Sequence, residues 1–328
     1  MFDQAWLGTS TTTERFIMTK ARIASFLQGF PDPFRAEASG IPFTYPIILW
    51  QSINVPWLPG EHDGKILIHG QQTFDYVRAL RYDEELSYQI RLANIREKKG
   101  SQGMMYLLDC VMHLDDANDQ PVLRAGTTLL LLDQPHSPAA LQAVPPKVMP
   151  ALLPDLRRVW SKKSPLSPGT TLIDACLGTI TGDMLLAYAK ASNDYNAIHL
   201  DVQKANAFGM PRRVAHGMLV LGMVGNILQK LQTEELRLSG VQCRFHVPIM
   251  ENDAVYAKVT VQSVRYPKSV RIKESADETA IGDQPGIHCL LEVFIDHSGQ
   301  SNLSADSQSS SPEQRTLAYS GSAVYVFD

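Results

Sequence analysis

Residues 215–231, AHGMLVLGMVGNILQKL, are apolar nearly all the way round a helix and hold three glycines, Gly217, Gly222 and Gly225. A surface helix needs one polar face; a helix without one must be enclosed. The sequence on either side alternates or runs apolar in strand fashion. The expectation is therefore a helix wrapped by a sheet. Strands are predicted at 171–180, 236–247, 255–264, 287–296 and 317–327, with a short helix at 183–191 and a loop at 192–199 ahead of the enclosed helix. No run of 18 or more uninterrupted apolar residues occurs in the 328-residue chain, so no membrane span is expected.

The first half reads differently. Residues 14–30 carry apolar positions at helical spacing, stopped by Pro31 and Pro33. A Pro-spotted apolar stretch, 41–59, precedes a strand-rich region in which Leu86, Tyr88, Ile90 and Leu92 alternate and 127–132 ends in consecutive leucines. Prolines from Pro135 to Pro168 break up 134–169, which reads as a linker. The polar, Ser-rich 301–315 reads as a surface loop. Across the linker a repeat is visible. Tyr76, Ala79, Asp83 and Glu84 match Phe245, Pro248, Asn252 and Asp253 at a constant offset of 169, and the strands after them stay in phase. The chain thus divides into an N-terminal repeat (1–133), a linker (134–169) and a C-terminal repeat (170–328), each an α+β unit with a curved antiparallel sheet.

Composition narrows the function. Hydrophobic residues at 44% and charged residues at 20% suit a packed globule rather than a disordered chain. Thirty Lys+Arg against 34 Asp+Glu give a net charge of -4, so no nucleic-acid partner is expected. Cys110, Cys176, Cys243 and Cys289 are far apart, without metal-ligand spacing, and read as reduced core thiols. Residues 1–13 lack a basic segment followed by an apolar one, so no secretory signal is expected and the cytoplasm is the default location.

The chemistry concentrates in 191–201, ASNDYNAIHLD. Asp194 and His199, five apart in an Asn-rich loop, can share one water between carboxylate and imidazole, which suits adding or removing water. His216-Gly217 opens the enclosed helix. There the first backbone N–H groups lack intrahelical partners, and a glycine lets a carbonyl oxygen approach. Structural readings stand beside these: Asp194 can brace a turn, Asn196 can hold the loop, His216 can shape the helix start, and Asp201 can cap the helix after it. Arg212 and Arg213 are either a solvated pair or a contact for carrier phosphates. His62, Asp63 and His69 in the first half lack the five-residue spacing and are set aside.

The runs SNDYNAIHLD, AFG and VAHGML resemble the MaoC-like hot-dog dehydratases, the (R)-specific enoyl thioester hydratase group, with Ala197 where that motif usually has Pro. The first half, through Ile41-Pro-Phe-Thr44 and Ile68-His69-Gly70-Gln71-Gln72, resembles the family's degenerate N-terminal repeat, with Ala79 at a usual Pro. The resemblance implies a double hot-dog, two curved antiparallel sheets with the central helix kept only in the C-terminal repeat unless 45–53 supplies a shortened one. It implies a substrate on coenzyme A or acyl carrier protein, and reversible hydration of trans-2-enoyl to (R)-3-hydroxyacyl thioesters. Asp194 and His199 would be the catalytic pair and Gly217 the oxyanion donor, with Asn196, His216 and Arg213 toward the substrate. No metal or organic cofactor is expected, and a homodimer of the two-repeat chain stays open. The gap left by a missing first helix would take the acyl chain, lined by 45–50. A thioesterase and a non-catalytic acyl-thioester binding subunit are the competing readings; retention of both Asp194 and His199 speaks against them.

Overall fold

The computed structural model describes residues 2–35, 40–58, 65–100, 103–133, 148–153, 166–233, 235–265, 285–296 and 315–327. The first half runs β1 (Glu14–Ile17), α1 (Lys20–Leu27), a 3-10 helix (Tyr45–Ser52), β2 (Lys65–Tyr76), β3 (Glu85–Gly100), β4 (Gly103–Asp116) and β5 (Pro121–Asp133). The helix expected over 14–30 is shorter. Residues 14–17 pair with β3, Phe16 opposite Leu86, and the Thr19 hydroxyl starts the helix by accepting from the Arg22 N–H at 3.3 Å.

The second half runs β6 (Thr171–Thr179), α2 (Gly182–Ser192), α3 (Ala197–Leu200), α4 (Val202–Ala207), α5 (Gly217–Gln229), β7 (Leu236–Phe245), β8 (Ala254–Arg265), β9 (Gly286–Asp296) and β10 (Thr316–Phe327). Of the Pro-rich stretch, 148–153 and 166–169 are described. The Leu152 N–H donates to the Cys176 carbonyl at 2.8 Å, and Leu166 is buried. Residues 301–314 lie outside the described residues.

The repeat governs the topology. The sheet order is β1-β3-β4-β5-β2-β7-β10-β9-β8-β6, the same five-strand pattern on either side of the β2–β7 junction. The two expected sheets are therefore one ten-stranded sheet, because β2 and β7 pair antiparallel from Gln71 opposite Arg244 to Asp75 opposite Gly240. The 169 offset also holds in the backbone. Asp83 (φ 58°) and Asn252 (φ 71°) both turn left-handed before β3 and β8, a conformation that Asp and Asn tolerate better than other side chains.

At the same offset α5 falls on 48–60, where Pro56, Pro59 and Gly60 forbid a continuous helix. The chain makes a 3-10 helix at Tyr45–Ser52 instead, with a proline in its first turn. Tyr45, Pro46 and Leu49, read as tunnel lining in the sequence, are buried there; Tyr45 packs edge-on to Phe26 at 5.3 Å.

Met218 to Leu228 of α5 are all buried. Amide side chains fix this helix to the first half: Asn226 Nδ2 donates to the Phe34 carbonyl (2.8 Å), and Gln229 donates to the Ile41 carbonyl (2.8 Å) while accepting from the Phe43 N–H (2.7 Å). Two glycines of α5 should then respond oppositely to alanine. A Cβ at Gly222 would lie 2.5 Å from the Phe30 ring, whereas one at Gly225 would meet only Thr44 Cγ2 at 3.7 Å. Gly222→Ala is expected to lose about 1–3 kcal/mol by overpacking and Gly225→Ala to gain up to about 1 kcal/mol of helix propensity, read as shifts in the urea midpoint.

Candidate active site

α2 stops at Ser192 because Asn193 turns left-handed (φ 59°). The Ser192 hydroxyl donates to the Tyr188 carbonyl at 2.7 Å and accepts from the Asp194 N–H at 3.3 Å. Asp194 Oδ1 then accepts from the Asn196 N–H (3.2 Å), a local turn typical of Asp. Asn196 caps α3 by accepting from the Ile198 N–H at 3.4 Å, and its Nδ2 donates to the Leu67 carbonyl of β2 at 3.4 Å. His199 sits in the single turn of α3 rather than in a loop, and Asp201 caps α4 through the Gln203 and Lys204 N–H groups.

His199 is buried, and its Nδ1 lies 2.8 Å from the Val214 carbonyl. A carbonyl only accepts, so Nδ1 carries the hydrogen and Nε2 keeps its lone pair. His216 Nε2 donates to the Asp194 backbone carbonyl at 3.1 Å, which leaves Nδ1 as a buried acceptor without a partner among the described residues. The two imidazoles stack at 3.8 Å. Burial holds His199 below the ordinary histidine value, and burial with the neighbouring His199 takes His216 down to about 3. Both rings are thus neutral near pH 7. Asp194, His199 and His216 each bring a ligand-type atom within 4.8 Å of the others. That is a carboxylate–imidazole donor set which could also hold a cation.

Gly217 is the first residue of α5, and the preceding His216 makes no capping bond from its side chain. The positive end of a helix with uncapped N–H groups faces the cluster. Phe245 borders the same spot: a Cβ at Gly217 would lie 3.3–3.4 Å from its ring.

Sequence reading missed three residues here. The Tyr188 hydroxyl is buried without a hydrogen-bond partner among the described residues, its ring 5.1 Å from His216. Phe245 is the second. The third is His69, set aside on its spacing from Asp63; His62 and Asp63 lie outside the described residues. His69 Nε2 donates to Gln72 Oε1 at 3.0 Å, and its ring meets Phe245 at 5.0 Å. Burial pushes its pKa to about 4, with Asp194 close enough to oppose the shift. The visible signal was the repeat itself, which sets β2 and β7 as equivalent strands.

Arg213 is held by Glu251 through two bonds of 2.8 and 2.5 Å, and Arg212 reaches Asp253 at 2.8 Å and the Glu251 carbonyl, so neither presents an open guanidinium. The four cysteines are free thiols. Burial pushes Cys110 and Cys289 up to about 12, which suits core thiols rather than nucleophiles.

An α+β chain of two sheet-and-helix units with this cluster at the start of the central helix is a double hot-dog protein. Residues 167–281 match the model of the MaoC like domain, and residues 5–125 that of the FAS1-like, dehydratase domain region. The second half thus carries a MaoC like domain, and the first half is similar to a dehydratase region. The chain is 32% identical over 85 residues to the (R)-specific enoyl-CoA hydratase of Aeromonas caviae, covering 26% of this chain and 63% of that one. It is 22% identical over 220 residues to the peroxisomal enoyl-CoA hydratase 2 of Arabidopsis thaliana, covering 66% and 67%. The match thus spans less than two thirds of the bacterial relative. A solved MaoC-like dehydratase superposes with a TM-score of 0.68 at 15% identity over 99% of both chains. A Mycobacterium tuberculosis protein described as having a double hotdog fold superposes with a TM-score of 0.57 at 14% identity, over 97% of this chain and 96% of that one.

The neutral histidines set the acid stability. His69, His199 and His216 stay unprotonated in the fold while the unfolded chain takes up protons below about pH 6.5. Stability is therefore full above that pH. It is expected to fall as the pH drops toward about 4, by up to about 1.4 kcal/mol per pH unit for each such histidine. The melting temperature followed from pH 7.5 to 4.5 checks this; a flat profile would contradict it.

Proposed function

We propose that this chain catalyses the reversible hydration of trans-2-enoyl thioesters to (R)-3-hydroxyacyl thioesters, carried on coenzyme A or acyl carrier protein. The observation that carries the reading is the convergence of the Asp194 carboxylate, the unprotonated Nε2 of His199 and the uncapped start of α5 at Gly217. A water between Asp194 and His199 attacks C3 of the enoyl group, and its proton passes to His199 Nε2. The electrons of the double bond move into the thioester carbonyl, and the enolate oxygen forms against the Gly217 N–H. The imidazolium, stabilised by Asp194, returns the proton to C2. Dehydration is the reverse sequence.

The C-terminal repeat, 170–328, holds this machinery, and the N-terminal repeat, 1–133, supports it. The names of the two curated relatives favour coenzyme A as carrier. Asn196 and His216 act through the loop they hold, Asn196 by capping α3 and His216 by anchoring the Asp194 carbonyl. The thioester acidifies its own C2 proton, so the reaction needs neither metal nor organic cofactor. The buried thiols fit a reducing compartment such as the cytoplasm, although one relative is named peroxisomal.

The test is to incubate the protein with 2-butenoyl-CoA and follow loss of the conjugated double bond alongside release of free thiol. Hydration without thiol release, giving the (R) product and insensitive to a chelator, is expected. Asp194→Asn and His199→Ala should each lower kcat by at least about 100-fold with the melting transition retained. Near-full activity in either variant would sink the assignment.

A further inference from the structure

We infer that His69 of the first repeat and Phe245 of the second form one substrate-positioning wall beside Gly217, which limits the group a substrate can carry on the carbon next to its thioester carbonyl. The inference rests on the reading of Gly217 as the oxyanion donor.

The wall follows from strand register. Gln72 of β2 lies opposite Cys243 of β7, so both face the core side, where they are buried. One step further along that face β7 places Phe245. On β2 a bulge intervenes: His69 pairs with Leu129 and Gln71 with Thr128, leaving Gly70 as the extra residue. Thr127 and Leu129 face the core, so the bulge turns His69 onto the same face as Gln72 and toward Phe245. A Cβ at the extra position would lie 2.0 Å from Leu130 Cδ1, so any larger residue there would have to displace that side chain.

The Phe245 ring is held from two sides. His69 meets it edge-on at 5.0 Å and Tyr319 at 4.6 Å. His69 is itself fixed, because Gln72 Oε1 accepts both from its Nε2 and from the Thr127 hydroxyl at 2.8 Å. The clamped ring stands 3.3–3.4 Å from where a Gly217 side chain would begin. A carbonyl oxygen bonded to the Gly217 N–H brings its C2 substituents against this ring. A hydrogen fits there and a methyl group collides.

The experiment compares wild type, Phe245→Leu, His69→Ala and His69→Phe. One readout is kcat/KM for 2-butenoyl-CoA against 2-methyl-2-butenoyl-CoA. The other is calorimetric binding of butanoyl-CoA against 2-methylbutanoyl-CoA, which needs no turnover. Phe245→Leu should shift both ratios toward the branched thioester by about tenfold, the scale of one methyl group in a fitted pocket, mainly through KM. His69→Ala should move them the same way, and His69→Phe should restore the wild-type ratios because the ring, not its nitrogen, supports Phe245. Unchanged ratios in Phe245→Leu and His69→Ala would overturn the wall, as would an equal loss for both substrates in His69→Ala and His69→Phe. Should Phe245→Leu not fold, the two variants of the partly buried His69 carry the test. Shifted binding ratios without any wild-type hydration would refute the hydratase reading and keep the wall. A wild type that neither hydrates nor binds would refute both.

Discussion

An edge strand exposes a row of unpaired N–H and C=O groups that must be covered or paired. Each five-stranded half of this protein ends in such a strand, β2 in one and β7 in the other, and they satisfy each other from Gln71–Arg244 to Asp75–Gly240. That pairing makes one sheet of ten strands. It also sets everything near the site. It carries Leu67 to the Asn196 side chain and His69 to the Phe245 ring, so two residues of the first half reach the loop of the second and the ring beside its helix start. The amide bonds from Asn226 and Gln229 to residues 34–43 fix the enclosed helix to the same partner half.

The electrostatics of the cluster follow from this enclosure. Three imidazoles lie near one carboxylate, an arrangement that in water would favour protonated rings and ion pairs. Burial reverses the preference for His69, His199 and His216, despite the pull of Asp194 on each. The rings are then acceptors or neutral donors, and their tautomers are set by fixed carbonyl or amide oxygens at Val214, Asp194 and Gln72. A carboxylate not locked in an ion pair keeps its capacity to hold and polarise a water.

Much of this was legible in the chain because it is local. The all-round apolar character of 215–231 announced the enclosed helix, found at Gly217–Gln229. The 169-residue offset announced the repeat, down to the left-handed pair Asp83 and Asn252. Asp194 and His199 lie close together with His216, and Gly217 follows His216 in the chain. What escaped depends on distant partners. Residues 14–17 alternate too briefly to declare a strand and become one only against β3. His69 looks inert until a bulge and a strand junction turn it toward Phe245. Arg213 looks available until Glu251 fills its fork.

The two halves share one strand order and differ at the place of the central helix. Where the second half runs α5 unbroken, the first has Pro56, Pro59 and Gly60. Among its described residues the first half therefore has no counterpart of the uncapped helix start at Gly217. The segment before β2 instead crosses over: Phe34, Ile41 and Phe43 present backbone groups to Asn226 and Gln229. The enclosed helix is thus held by main-chain groups of the half that lacks one, and the position of Gly217 at its start depends on that hold.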